Sequence, residues 1–181
     1  IFTAAQLMHT SLAQTQCRRA HFERTQWLNT TWGPNDWTGV TCKDNTFYQL
    51  DMRGWVVREA QLAGTQFIEC DLRGVDFTQA ALQGASFVAC QLDGAVCLGA
   101  QMQGVVFAQN CSLRDLNATQ ADLSQANFGA SLATGIRLVK ARLNGAHLSE
   151  ADLCGCDARL AEATGALWRK TGLKGARLAG I

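Results

Sequence analysis

Apolar residues recur at every fifth position along almost the whole chain. Steps of five from Phe2 reach 22 consecutive apolar residues, of which the last is Phe107. The next step lands on Ser112, but a shift of one residue restores the pattern, and 14 further steps from Leu113 to Leu178 are again apolar. Because an α-helix repeats every 3.6 residues and a strand every two, neither element explains this period.

A small residue precedes most of these apolar centres by two positions. Of 35 such positions, 31 hold Ala, Cys, Ser, Thr, Val or Asn, and the exceptions are Leu50, Trp55, Leu116 and Ile136. Glycine recurs every ten residues from Gly54 to Gly104, two residues after a centre, where it relieves an unusual backbone angle. One large and one small inward residue per pentad predict a chain that winds around a square.

Four pentads make one coil of this square, and the 36 pentads predict about nine coils. At about 4.8 Å between strands, the all-β solenoid would be about 40 Å long. Residues twenty apart should stack, and a column of five phenylalanines continues across the frame shift if one inserted residue is counted. The segment 108–112 is therefore interpreted as a one-residue bulge, and the alternative is a small protruding loop for a partner. The column consists of Phe47, Phe67, Phe87, Phe107 and Phe128.

These pentads resemble the pentapeptide repeat family, whose motif is A-(D/N)-L-x-x. The nearest matches are Ala121-Asp122-Leu123, Ala126-Asn127-Phe128 and Ala151-Asp152-Leu153, and the decads CDLRGVDFTQ and ALQGASFVAC are also typical. The resemblance implies a right-handed quadrilateral β-helix.

The opening coils match the motif less well, because Thr replaces Ala and Trp replaces Leu or Phe. The chain begins with Ile1 and not with Met, which fits a fragment of a longer chain. The open ends of a β-helix expose unpaired strand edges, so we expect either a larger parent chain or a homodimer through a coil end. The predicted organisation is one domain over 1–181, with less regular coils over 1–59, regular coils over 60–107, the bulge at 108–112, and regular coils with the C-terminal end over 113–181.

The cysteines follow the repeat and are therefore interpreted as core residues. Cys154 alone is predicted to point outward, and no CxxC pair occurs. Since a buried thiol behaves as a small hydrophobe, we predict no metal and no redox site. Reduced buried cysteines fit a cytoplasmic protein, and a secreted effector is the alternative. The seven inward cysteines are Cys17, Cys42 and Cys97 at centres and Cys70, Cys90, Cys111 and Cys156 at small positions.

The titratable residues do not suggest an active site. His9, His21 and His147 all fall at outward positions, and the last two are about six coils apart, so they cannot share a triad. Asp51 and Asp71 stack in one outward column, where the family's Asp or Asn is expected to order the turn. We predict a protein that is not an enzyme, with no catalytic residue and no cofactor.

Three tryptophans, Trp27, Trp32 and Trp37, would crowd one coil together with Phe22. Packed interiors resist overfilling, so either the coil widens into an irregular core or one indole turns outward. An outward indole would be a candidate anchor for a partner.

One outward column is apolar, whereas the columns beside it are mostly polar. Exposed contiguous apolar surface tends to mark an interface, so this column is the main candidate interface, for another protein or for a homodimer through the stripe, with ordinary surface as the alternative. The stripe would be about 20 Å long at strand spacing. It consists of Met8, Leu28, Tyr48, Ile68 and Val88.

The net charge of +1 argues against general attraction to nucleic acid. No apolar run is long enough to span a membrane. The tail carries a basic group, which is interpreted as a solvated end, with attachment to an acidic partner or a nucleic-acid backbone as the alternative. This group is Arg169, Lys170, Lys174 and Arg177.

The function predicted from these features is a scaffold or adaptor that presents flat faces to another protein. The family resemblance implies two alternatives. One is a module of a bacterial secretion-associated protein or effector. The other is a protein that mimics B-DNA and binds DNA gyrase, which the net charge of +1 disfavours because such a rod should be acidic.

Overall fold

Short parallel strands are the regular elements of the chain. A computed structural model describes residues 1–11, 15, 17–28, 30 and 36–181, and none of these described residues lies in a helix. The strands are β1 (Phe2–Thr3), β2 (Gln6–Met8), β3 (Phe22–Glu23), β4 (Gln26–Leu28), β5 (Thr46–Tyr48), β6 (Gln66–Ile68), β7 (Ser86–Val88) and β8 (Val106–Ala108).

The strands stack in register, each against the strand one coil later. β1 pairs with β3, and a six-stranded parallel sheet has the order β2-β4-β5-β6-β7-β8. Partners are twenty residues apart, as in Phe47 opposite Phe67, and single bridges on the other sides repeat the same offset. The predicted four-sided β-solenoid is confirmed, and one of its columns has nine levels: Gln6, Gln26, Thr46, Gln66, Ser86, Val106, Asn127, His147 and Leu167.

The predicted bulge appears as a change of offset by one residue. Gln91 bridges Ser112, which is 21 residues later, and the offset returns to twenty in the following coil. Gln109 and Asn110 both have positive φ, whereas a regular corner such as the one at Gln79 has a single residue in this conformation. The extra residue is therefore absorbed at one corner, and the coils on either side keep their stacking.

The core is a set of stacked columns filled by the centres and the small residues. Phe87 is fully buried and lies parallel to Phe67, with 4.9 Å between ring centroids, and 5.3 Å from Phe107 on its other side. The four large residues at small positions are also buried, with 2 % exposure or less. Leu116 precedes Ala118, so a large and a small side chain have exchanged positions within one pentad and the total volume is kept.

Two of the tryptophans of the second coil, Trp27 and Trp37, lie inside the solenoid. Trp27 and Trp37 are each 1 % exposed, and their rings meet edge to face at 5.8 Å. Trp37 also packs against Phe22, Phe47 and Trp55, with ring centroids 5.6, 6.2 and 5.3 Å away, and the equivalent centres one coil away are the smaller Cys17 and Val57. The hypothesis of an outward indole is therefore wrong for these two residues, and Trp32 lies outside the described residues.

Glycine occupies corners that demand positive φ, as the sequence predicted. Gly84 has φ of 64°. Gln79 holds the equivalent place in the preceding pentad with φ of 59°, although it has a Cβ. This conformation costs an L-residue about 1 to 2 kcal/mol, so the stacked sheets stabilise corners that the local sequence disfavours.

Candidate protein-interaction face

The outward side of the six-stranded sheet is called the sheet face. It consists of the outward residues of β2, β4, β5, β6, β7 and β8, together with the described residue that directly follows each of these strands. The candidate interface residues Met8, Leu28, Tyr48, Ile68 and Val88 occupy the same position on successive strands and are direct neighbours in register, with Ala108 next. The structure thus brings the predicted residues into one column, the apolar stripe.

The apolar stripe is accessible but not fully exposed. Met8 at the outer level is 50 % exposed, and the other four residues are partly covered by the side chains of the levels above and below. Tyr, Ile and Val favour extended backbone because their side chains fit a pleated surface. This preference matches the regular strands that form on this side of the solenoid.

The columns on either side of the stripe are polar and almost free of charge. Gln6 donates from Nε2 to Oε1 of Gln26 at 3.4 Å, and Gln49 donates from Nε2 to Oε2 of Glu69 at 2.8 Å. Among the described outward residues of this face between Gln6 and Gln109, Glu69 is the single Asp, Glu, Lys or Arg. An apolar centre with uncharged polar margins is the composition of a protein interface.

The next face along the chain differs from the sheet face, because it carries charged side chains. These charges are paired with one another. Arg53 donates to both carboxylate oxygens of Asp51, at 2.8 and 2.6 Å, and Arg73 does the same to Asp71. These hydrogen bonds hold the pKa of each carboxyl below its usual value. The stacked acids therefore stay ionised at neutral pH and are not candidates for a general acid.

A column of inward cysteines supports the sheet face from within. The thiols of Cys70, Cys90 and Cys111 lie 3.4, 3.3 and 3.3 Å from the carbonyl oxygens of the centres one coil earlier. Each thiol shares its single S–H with a second carbonyl oxygen, that of the last residue of the strand just before it, at 3.4, 3.5 and 3.2 Å. The acceptors one coil earlier belong to the phenylalanines at the middle of β5, β6 and β7. The sequence indicated buried cysteines but not this hydrogen-bonding role, which becomes visible only once the register is known.

Two of the buried thiols, Cys97 and Cys111, are poor nucleophiles because their pKa values are raised. Burial raises the pKa of Cys97 to about 12 and that of Cys111 to about 11.

Within the part of the chain that the structure describes, no three His, Cys, Asp or Glu side chains are close enough together to hold a metal ion.

Cys154 is expected to be the one thiol that reacts rapidly in the folded protein. It is partly exposed, whereas the other seven cysteines are buried. A hydrogen bond with Asp152 raises the pKa of Cys154, so its alkylation should require higher pH than that of a free thiol. Asp152→Asn should lower the pKa of Cys154 and speed its reaction at neutral pH. Stopped alkylation with iodoacetamide followed by peptide mass spectrometry measures both effects.

Cys154→Ser is the control for this reaction, because it should abolish the rapid phase. Unfolding of the wild-type chain in denaturant should make all eight of its thiols react. Rapid native labelling of Cys70 or Cys90 would contradict the described packing.

Two of the hollows in the described surface lie outside the apolar stripe. One of about 380 Å³ lies beside the bulge, where Oδ1 of Asp93 accepts hydrogen bonds from the hydroxyl of Ser112 and, at 3.0 Å, from the backbone N–H of Arg114. The other, of about 690 Å³, lies at the last coil and is lined by residues that include Trp168, Leu173 and Leu178. In the described residues no helix is long and apolar enough to cross a membrane.

Comparison with known protein families agrees with the coil geometry. A family model for the pentapeptide repeat region matches residues 60–138. A second model, built from eight copies of the repeat, matches residues 121–157 and 136–178. The chain belongs to the pentapeptide repeat family. The matches cover the regular coils, and no curated protein matches the sequence significantly.

Solved structures of pentapeptide repeat proteins are similar to this chain, and HetL shares its fold. HetL from the cyanobacterium Nostoc sp. strain PCC 7120, which is involved in the regulation of heterocyst differentiation, is 22% identical, with 97% of this chain and 88% of that chain covered and a TM-score of 0.59. Rfr23 from Cyanothece 51142 is 16% identical over 79% of this chain and 86% of its own, with a TM-score of 0.41. Full-length QnrB1, a plasmid-mediated fluoroquinolone resistance protein, is 20% identical over 99% and 86%, with a TM-score of 0.31.

Proposed function

We propose that this pentapeptide repeat protein is a non-catalytic scaffold that binds another protein through the sheet face. Pentapeptide repeat proteins are generally structural or interaction proteins. The observation that carries the proposal is the charge depletion of this face, where Glu69 is the single Asp, Glu, Lys or Arg among the described outward residues between Gln6 and Gln109. Desolvating charges is expensive, so a surface without them is suited to being covered.

The backbone of the sheet face also favours binding, because it is held rigidly. Each strand of the face is hydrogen-bonded along the solenoid axis, as in Glu69 N–H to Val88 O at 2.8 Å and Ala89 N–H to Ala108 O at 3.0 Å. A rigid surface loses little conformational entropy when a partner binds. Binding of a partner to the apolar stripe should therefore cost little conformational entropy in the scaffold.

The charge pattern gives no support to the alternative of a DNA mimic. A mimic of the phosphate backbone needs carboxylates that face solvent without counter-charges. Here Asp51, Asp71, Asp76, Asp122 and Asp157 each lie within 3.0 Å of an arginine nitrogen. The role of a secretion-associated module, cytoplasmic location and self-association through a coil end stay predictions.

The proposal predicts that positive charge on the stripe abolishes partner capture. In Tyr48→Lys/Ile68→Lys, two ammonium groups would have to be desolvated at the contact, and we expect at least about a tenfold loss of bound partner. The lysine stems can lie along the sheet with their charges in water, so the fold should survive. The measurement is quantitative mass spectrometry of proteins retained from a lysate of the source organism by immobilised wild-type and variant chains.

The matched control is Val56→Lys/Val96→Lys, which makes the same kind of change at outward positions of another side of the solenoid. Proteins that the control retains and the stripe variant loses are the partners. Equal retention by both variants would refute the proposal. Sedimentation velocity on the same three proteins tests whether the bound partner is a second copy of this chain.

A further inference from the structure

We infer that the segment bound by the sheet face is an amphipathic α-helix of the partner protein, lying along the axis of the solenoid. This inference rests on the proposed function and adds to it the secondary structure and chemistry of the partner. Three observations carry it, namely the hydrogen bonding of the face, its dimensions and its charge.

The hydrogen bonding requires a partner that satisfies its own backbone. The strand amides and carbonyls of the sheet face are engaged between levels, as Ala89 N–H to Ala108 O and Gln49 N–H to Ile68 O at 2.9 Å show. An extended peptide on this face would find few backbone partners and would have to bury unpaired N–H and C=O groups, which is costly. An α-helix brings its backbone hydrogen bonds with it.

The dimensions of the sheet face fit one helix. Each strand presents three extended residues, so the face is about 10 Å wide, close to the 10–12 Å diameter of a helix with its side chains. Successive levels are about 4.8 Å apart, and successive helical turns are about 5.4 Å apart. About 13 helical residues, or between three and four turns, span the stripe from Met8 to Val88, so about four apolar residues of the helix, one per turn, would contact it.

The same dimensions disfavour a second copy as the occupant. A face about 10 Å wide and 25 Å long offers about 250 Å² of flat contact, whereas stable interfaces bury about 800 Å² on each partner. Two solenoids that meet only through this face would bury too little to remain associated. A helix on the face has the same contact area, so the helix alone should bind weakly, and the rest of the partner would supply the remaining contacts.

The charge of the sheet face specifies the flanks of the helix. No Lys or Arg occurs among the described outward residues of the face between Gln6 and Gln109, so neither nucleic acid nor an anionic membrane would be attracted there. Amide and hydroxyl side chains such as Gln26 and Thr46 suit uncharged polar flanks. Glu69 at one margin suits a single Lys or Arg at the matching level of the helix.

The test uses two labelled peptide isomers of about 18 residues with one composition of Leu, Gln, Ser and one Lys. One isomer places Leu at helical spacing, and the other alternates Leu with polar residues as a strand would. Fluorescence anisotropy should show that the helical isomer binds at least about tenfold more tightly than the alternating isomer. Circular dichroism should show that it gains helix on binding.

Ile68→Lys should weaken binding of the helical isomer at least about tenfold, and Val96→Lys should change it less than about twofold. Equal affinity for the two isomers, tighter binding of the alternating isomer, or no binding of the helical isomer would overturn the inference. If stripe-dependent capture from the lysate nevertheless holds, the proposed function stands and the partner segment is not a helix. If capture does not depend on the stripe, the proposed function fails as well.

Discussion

Phe87→Ala is expected to lower the free energy of unfolding by about 3 to 5 kcal/mol. The ring is fully buried, lies parallel to Phe67 at 4.9 Å with an interplanar angle of 5°, and contacts Phe107 at 5.3 Å. Removing it leaves a cavity inside a column that cannot collapse, because the rings on either side are fixed by the levels to which they belong. Equilibrium unfolding in urea, followed by circular dichroism, measures the change.

Phe2→Ala is the matched control, because Phe2 makes the same kind of stack at the margin of the solenoid. Its ring lies 5.3 Å from Phe22 at 18°, but the residue is 50% exposed. The loss should be about 1 kcal/mol or less, since little apolar surface is buried there. Equal losses for the two substitutions would show that the buried phenylalanine column does not dominate stability.

The period of the sequence was sufficient to predict the fold, because each pentad reports the same local geometry. The alternation of one large and one small inward residue survives at Leu72 and Cys70 as well as at Leu148 and Ala146, so no single pentad decides the result. In the less regular opening coils, the period alone does not predict how the large side chains pack. The period placed Trp27 and Trp37 at inward centres, but it could not decide whether the coil had room for them. That depends on how the rings around Trp37 pack and on the smaller centres Cys17 and Val57 one coil away.

The candidate site could be predicted only in part from the sequence. Register alone places Tyr48 beside Ile68, so the apolar stripe follows from counting residues. The thiol of Cys90, which donates to the carbonyl of Phe67, could not be predicted, because it depends on which carbonyls the strand hydrogen bonds leave available. The fractional exposure of the stripe likewise depends on how side chains from successive levels cover one another.

Deleting Asn110 is expected to preserve the fold, with a change in the free energy of unfolding within about 1 kcal/mol. The deletion places Cys111 directly after Gln109, so the pentads before and after the bulge join without a frame shift. Gln109 already has the positive φ that a regular corner requires, and Gln91 would then face Ser112 at the ordinary offset. The deletion would remove only the extra residue of the bulge, and the coils on both sides would remain stacked.

Deleting Gln79 is expected to unfold the chain, although it also removes one polar residue from a corner with positive φ. The residues from Ala80 to Asn110 would move by one position, and the inward set from Leu82 to Phe107 would turn toward solvent. The extra residue of the bulge restores the frame from Cys111 onward, so the coils between the deletion and the bulge are the ones that lose their register. Far-UV circular dichroism and limited proteolysis of the two deletion variants separate these outcomes. If both deletions were tolerated, the stacking would not depend on register, and the column that aligns Met8, Leu28, Tyr48, Ile68 and Val88 would lose its basis.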